Sequence, residues 1–155
     1  MTDVLRIQAQ CYSEIEPESR ASLRAKVLAS PGTCFLAENA AGAVGYLIAV
    51  PVFYPDLPAL NAPGFETASE ADTLYIHDLA VADAGRGSGA GRALVRSGLS
   101  AGRAHGLKSA CLVAIQGSVG YWEQFGFQRV VQLPERVALK LASYGVAAQL
   151  MRATI

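Results

Sequence analysis

Two histidines and one tryptophan are all that this 155-residue chain holds of those types. Its three cysteines, Cys11, Cys34 and Cys111, are odd in number, far apart and never spaced as C-x-x-C. That scarcity argues against a zinc cluster, which draws several Cys and His ligands at close spacing, and no metal is expected. It also argues against a disulfide framework and fits reduced thiols in a cytoplasmic protein. The 13 basic residues only balance the 13 acidic ones, so there is no basic excess to hold a nucleic-acid backbone. No apolar run reaches the roughly 20 residues of a membrane span, and the opening MTDVLRIQAQ lacks the charged-then-apolar order of a signal peptide. No repeat, low-complexity tract or long linker divides the chain, so one domain over residues 1–155 is expected.

Apolar and small residues are plentiful: 52% are hydrophobic, enough for a well-filled core. Residues 3–14 read as a helix. A second begins near Pro17, with Glu18 in its first turn, where the helix dipole favours an anion, and stops before Pro31-Gly32. CFLAE (34–38) and AVGYLIAV (43–50) read as hairpin strands joined by NAAG, the second ended by Pro51. Residues 53–72 form a proline-rich loop long enough to suggest function. LYIHDLAV (74–81) reads as a strand, 89–105 as a helix, and SACLVAI (109–115) as a strand covered on both faces. A short helix over 118–125 and strands near 127–131 and 146–153 complete the order. Strand, helix, strand, helix in the middle implies that the two apolar strands pair in parallel within an α/β fold.

Between the strand 74–81 and the next helix stands GRGSGAGR (85–92). Glycines at 85, 87, 89 and 91 clear side chains from a tight bend, so backbone N–H groups can approach a ligand. The following helix aims its positive end at the same spot, and Arg86 and Arg92 flank it, which is the outline of a phosphate site. From Ala84 to Trp122 there is no acidic residue, whereas Arg86, Arg92, Arg96, Arg103 and Lys108 all fall there. A Walker loop is excluded because it needs a lysine after its glycines. A dinucleotide fold is excluded because it needs an acid about 20 residues on.

R-G-S-G-A-G (86–91) matches the [RQ]-x-x-G-x-[GA] signature of the GCN5-related N-acetyltransferases, with L-A-V (79–81) five residues ahead of the arginine. YWEQFGF (121–127) resembles that superfamily's F-Y-E-x-x-G-F block, so the similarity runs over roughly 73–128. The resemblance implies a mixed, mostly antiparallel sheet with a central splayed parallel strand pair flanked by helices, and acetyl-CoA as co-substrate. It places the pyrophosphate on Arg86, Gly87, Ser88, Gly89, Ala90, Gly91 and Arg92. It places the pantetheine arm along Leu79, Ala80 and Val81, with the Val81 N–H near the thioester carbonyl. Ser118 falls where the family often has an asparagine that meets this arm. Trp122 stands where the family often has a tyrosine that protonates the leaving thiolate, and would wall the thioester pocket instead. Tyr121 is the neighbouring phenol and stays a candidate, although one residue along a helix swings a side chain by about 100°. The superfamily usually opens with a strand, for which MTD leaves little room; the sheet edge left uncovered would favour a homodimer.

Tyr75-Ile76-His77-Asp78-Leu79-Ala80-Val81 is also similar to the H-x-H-x-L-A-V strand of arylalkylamine N-acetyltransferases, with Tyr75 and His77 at the two histidine positions. Regular alternation puts Tyr75, His77, Leu79 and Val81 on one face and Asp78 on the other. An amine is almost all ammonium at neutral pH and must shed a proton before it attacks, so His77 is the candidate base, assisted by Tyr75. Phe53, Tyr54 and Phe65, with Asp56, Glu66, Glu70 and Asp72, are expected to wall an amine site. The expected reaction is acetyl transfer to a small primary amine. A protein-directed acetyltransferase and a CoA-binding module without turnover are the rivals.

Overall fold

The computed structural model describes residues 1–12, 16–142 and 144–155. Its helices are α1 (Thr2–Cys11), α2 (Arg20–Ala29), α3 (Ala90–Ala104), α4 (Val119–Glu123) and α5 (Glu135–Ala142). Its strands are β1 (Phe35–Asn39), β2 (Gly42–Val52), β3 (Thr73–Val81), β4 (Ser109–Ala114), β5 (Gln128–Arg129) and β6 (Gln149–Thr154). They form one six-stranded sheet in the order β1-β2-β3-β4-β6-β5. Only β3 and β4 run parallel; every other neighbouring pair is antiparallel. The mixed α/β fold with a parallel pair at its centre is therefore the one the sequence implied.

Burial explains the layers. On α3, Leu94, Val95, Gly98, Leu99 and Gly102 are buried, a stripe at helical spacing, while Arg92, Arg96 and Arg103 face water. The stripe packs on Leu47, Ala49, Leu74, Ile76, Ala110 and Leu112. Gly98 lets the helix lie close, since a Cβ there would stand 2.5 Å from Leu47 Cδ2. The other sheet face is covered by α1 and α2 over Tyr46, Ile48 and Ala80, and by α5 over Val50, Tyr75, Cys111 and Leu150. Ala110, Cys111 and Leu112 of β4 are all buried, as a strand covered on both faces demands. The three cysteines carry free thiols. Among the described residues no helix is long and apolar enough to cross a membrane.

Several boundaries differ from the expected ones. The first helix stops at Cys11, and positions 13–14 of the expected helix lie outside the described residues. The second helix starts at Arg20 rather than near Pro17, because Ser19 caps it by accepting the Ser22 N–H at 3.2 Å. Pro51 does not end β2: it pairs with Leu74 of β3. The neighbour on its other side, β1, reaches only as far as Leu47, so the missing N–H breaks no ladder. The expected strand 127–131 shrinks to Gln128–Arg129. The helix α5, on a stretch to which no element was assigned, is amphipathic and buries Val137 and Leu141. No strand precedes α1 among the described residues, and β1 and β5 form the sheet edges.

Gly85 is buried beneath the bend, where a Cβ would stand 2.9 Å from Val44 Cβ and 3.0 Å from Val81 Cγ1. Both neighbours are β-branched strand residues with little freedom to move. Gly85→Ala should therefore cost about 1–3 kcal/mol and lower the melting temperature by several degrees. An unchanged melting curve would show that Val44 and Val81 give way freely.

Candidate active site

The parallel pair parts early. Thr73–Ile76 pair with Ser109–Leu112, and beyond Ile76 the strand β3 runs on to Val81 without a neighbour on that edge. A cleft of about 560 Å³ occupies the opening, reaching from the glycine bend to Gln8, Glu18 and His77. The Ala82 N–H donates to Val44 O on the β2 side at 2.8 Å. N–H groups alternate along a strand, so the Val81 N–H faces the opening. The Leu79 and Val81 carbonyls agree with this, since they accept from Tyr12 Oη at 3.3 Å and Cys11 Sγ at 3.4 Å rather than from β2.

At one end of the cleft the chain makes a single helical turn over Asp83–Gly85 and then the glycine bend. Gly87 and Gly89 have φ of 73° and 86°, a region other residues resist. Ser88 Oγ donates to Gly85 O at 2.6 Å and accepts the Ala90 N–H at 3.3 Å. The N–H groups of Gly87, Gly89, Gly91 and Arg92 meet no protein acceptor among the described residues. Four bare donors at the start of a 15-residue helix, with nothing within 4 Å of a Cβ added at Gly87 or Gly89, fit a diphosphate. Arg86 and Arg92 are exposed beside it; Arg86 pairs with Asp83 at 2.9 Å and Arg92 donates to Gln124 at 3.3 Å. Ser118 precedes α4 without capping it, and Trp122 is buried edge-on to Phe127 and Tyr121. The Tyr121 hydroxyl is buried without a partner, and a Cβ on Gly91 would stand 2.9 Å from it.

The other end holds a cluster that the sequence did not reveal. Glu18, whose side chain is 7% exposed, places Oε2 2.7 Å from His77 Nε2 and 3.2 Å from Lys26 Nζ. Lys26 Nζ also donates to Ser22 Oγ at 2.7 Å, Glu18 Oε1 accepts the Asn61 N–H, and Gln8 Nε2 donates to the Glu18 carbonyl at 3.0 Å. Burial alone would raise the Glu18 carboxyl. The hydrogen bond and charge of His77, the Asn61 N–H and the Lys26 ammonium outweigh it and hold the group down at about 2. An ionised carboxylate can only accept, so His77 donates through Nε2, and in the neutral imidazole the lone pair stands on Nδ1. That Nδ1 is buried without a partner. Tyr75 touches His77 edge-on, with ring centroids 5.6 Å apart, but its hydroxyl stands 3.3 Å from that of Tyr144. It supports the imidazole by packing.

Regular alternation along β3 fails at the site. Ile48 pairs with Asp78 and Ala49 with Ile76, so His77 is an extra residue without a partner on β2. The bulge puts Asp78 on the α1 side with His77, where it accepts from Tyr12 Oη at 2.5 Å and Tyr46 Oη at 2.6 Å. Leu79 and Val81 pack instead against the α3 core. The shared face expected for Tyr75, His77, Leu79 and Val81 is thus split after His77. The loop 53–72 does not supply the aromatic and acidic wall either. Tyr54 lies under the Arg152 guanidinium, Asp56 pairs with Arg136 at 3.2 Å, and Asp72 accepts from Tyr54 N and Thr73 Oγ1. The cleft takes Leu60 from this loop, and a smaller recess of about 290 Å³ shares Glu16 and Leu60 with it and runs out past Asn61 and Lys140.

Glu18 sits at about 2 in the folded chain against an ordinary 4.5. The stability it contributes is present above pH 4.5 and is lost as the pH falls through 2. Melting temperature measured over that window should drop less steeply in Glu18→Gln than in the parent protein. Equal slopes would remove Glu18 from the acid response.

The family described as acetyltransferase (GNAT) matches residues 1–127. No curated relative matches the sequence. Among solved structures, Ard1 from Thermoplasma volcanium superposes with a TM-score of 0.72 at 19% identity, covering 99% of this chain and 90% of that one. N-acetylglutamate synthase from Neisseria gonorrhoeae, complexed with coenzyme A and N-acetyl-glutamate, gives 0.70 at 18% identity over 99% of this chain and 33% of that one. The NatC complex bound to Gag peptide and CoA gives 0.68 at 16% identity, covering 97% and 89%. At such identities these likenesses establish the fold. The family match goes further, for it takes in the parted strands, the glycine bend and the block around α4 together, and this chain belongs to the acetyltransferase (GNAT) family.

Proposed function

We propose that the protein transfers an acetyl group from acetyl-CoA to a small primary amine by direct attack while both are bound. One observation carries the reading: a histidine whose Nδ1 meets no partner lies in the same cleft as a bend with four bare N–H groups. The bend, from Arg86 to Arg92, holds the diphosphate, and the open edge of β3 at Leu79, Ala80 and Val81 holds the pantetheine arm, with Ser118 and Trp122 on its far side. When bound, acetyl-CoA supplies a thioester whose carbonyl carbon accepts the amine.

The Val81 N–H donates to the oxygen on which negative charge develops. His77 Nδ1 takes the proton that the amine sheds, and Glu18 stabilises the imidazolium so formed through Nε2. Tyr121, whose buried hydroxyl stands beside the bend, is the phenol on the cofactor's side of the cleft. Burial pushes its phenol up, against the pull of Arg92, so it keeps its proton at neutral pH. The body of the acceptor lies toward Leu60 and the recess beyond it. Because that recess opens outward past Asn61 and Lys140, a peptide N-terminus is the second reading.

His77→Ala should lower kcat for thiol release by roughly 10²- to 10⁴-fold and abolish the acid limb of its pH profile. CoA affinity by calorimetry should not change. An unaltered rate and profile would remove His77 from the reaction. In a panel of arylalkylamines, polyamines, amino acids and peptides, small amines should lead; a peptide in front would favour the second reading, and CoA binding with no thiol release would make the protein a binding module. Separately, Gly89→Ala puts a methyl among the bare N–H groups and strains a residue at φ 86°. It should weaken CoA binding about tenfold or more, and equal affinity would move the diphosphate elsewhere.

A further inference from the structure

Three buried side-chain polar atoms lack a partner among the described residues: Gln8 Oε1, His77 Nδ1 and Tyr121 Oη. All three belong to residues that line the one large cleft. Buried polar atoms are rarely left bare without a ligand to meet them. Tyr121 stands at the bend; the other two stand at the opposite end and share an anchor. Gln8 Nε2 donates to the Glu18 carbonyl at 3.0 Å, and His77 Nε2 lies 2.7 Å from Glu18 Oε2. These bonds decide what each side chain has left. The amide NH₂ is engaged, so Gln8 offers an oxygen that only accepts. The imidazole N–H is engaged, so His77 offers a lone pair. Gln8 is itself 2% exposed and comes from α1, an element with no other part in the reading above.

We propose that Gln8 is the residue that selects primary amines, an inference that rests on His77 as the base. When the amine nitrogen bonds to the acyl carbon and the carbon–sulfur bond breaks, a primary amine carries two N–H groups. One proton passes to His77 Nδ1. The other remains in the amide product, and Gln8 Oε1 accepts it throughout. A secondary amine has no N–H left in its product, and an alcohol has no such hydrogen at all. Either would leave Gln8 Oε1 buried and bare in the transition state. The site thus discriminates by the hydrogen that stays, while His77 handles the hydrogen that leaves.

The test compares phenethylamine, N-methylphenethylamine and 2-phenylethanol as acceptors, by thiol release from acetyl-CoA. The unaltered protein should favour the primary amine over the other two by at least 100-fold in kcat/KM. Gln8→Leu should shrink that preference by roughly 10- to 100-fold, through loss with the primary amine, and leave the pH profile and CoA affinity unchanged. Gln8→Met, closer in shape, should do the same if Gln8→Leu melts too early to assay. The substrate series on the unaltered protein needs no variant. Equal use of phenethylamine and its N-methyl analogue, or a preference unchanged in both variants while turnover persists, would overturn the role of Gln8 alone. No thiol release with any of these three or with any member of the wider amine and peptide panel would overturn the acetyltransferase reading and this inference together.

Discussion

An ionised carboxylate taken out of water is tolerated only where other groups replace its hydration, and Glu18 is the point on which this site turns. Its partners arrive from four elements: Gln8 from α1, Ser22 and Lys26 from α2, Asn61 from the long loop and His77 from β3. Removing any one would leave a buried charge or dipole short of a partner, and that costs more than a lost surface contact. The cluster therefore ties the two N-terminal helices and the loop to the strand that carries the candidate base. It also balances charge: with His77 neutral, Glu18 and Lys26 cancel.

The opposite end of the cleft uses a different device. There the charge is supplied by backbone. Four N–H groups at the head of α3 point at open space, and the acid-free stretch around them adds the field of exposed arginines. Glu18 and His77 lie 59 residues apart in the chain, yet only a few strand residues separate His77 from the bend. What joins them is the opening of the parallel pair, which frees the β3 edge over just the residues between base and bend.

How much of this was legible depends on whether the signal was local. The bend could be read because its four glycines, its arginines and its helix are contiguous. The parallel pair could be read because β4 is apolar on both faces. His77 could be read from its place ahead of Val81. Glu18 could not, because no pattern within α2 links it to a strand far downstream; its position just before a helix suggested a dipole role, and tertiary contact overrode that. The helix α5 was hidden by Pro134 and by a short, weakly flanked pattern. Pro51 misled because its effect depends on how far β1 extends, a fact of the sheet and not of the strand. The loop residues misled because Tyr54, Asp56 and Asp72 are taken up by Arg152, Arg136 and Thr73, so aromatic and acidic composition near a site did not place those groups in it.

The bulge at His77 shows why the site needs its irregular register. On a strictly alternating strand, His77 would share a face with Leu79 and Val81, which pack toward α3. With Tyr75 and His77 held on the side away from α3, Leu79 and Val81 would then be drawn out of the α3 core. One extra residue, unmatched on β2, returns Leu79 and Val81 to the α3 side while His77 stays beside Glu18. It does so without disturbing the pairing of Tyr46 with Ala80 and Leu47 with Leu79, which keeps the Val81 N–H turned to the opening. The inserted residue thereby lets Val81 keep its N–H in the plane of the sheet at the open edge while His77 stands off the sheet beside Glu18. Without the extra residue, the strand could keep Tyr75 and His77 on the Glu18 side or Leu79 and Val81 in the α3 core, but not both.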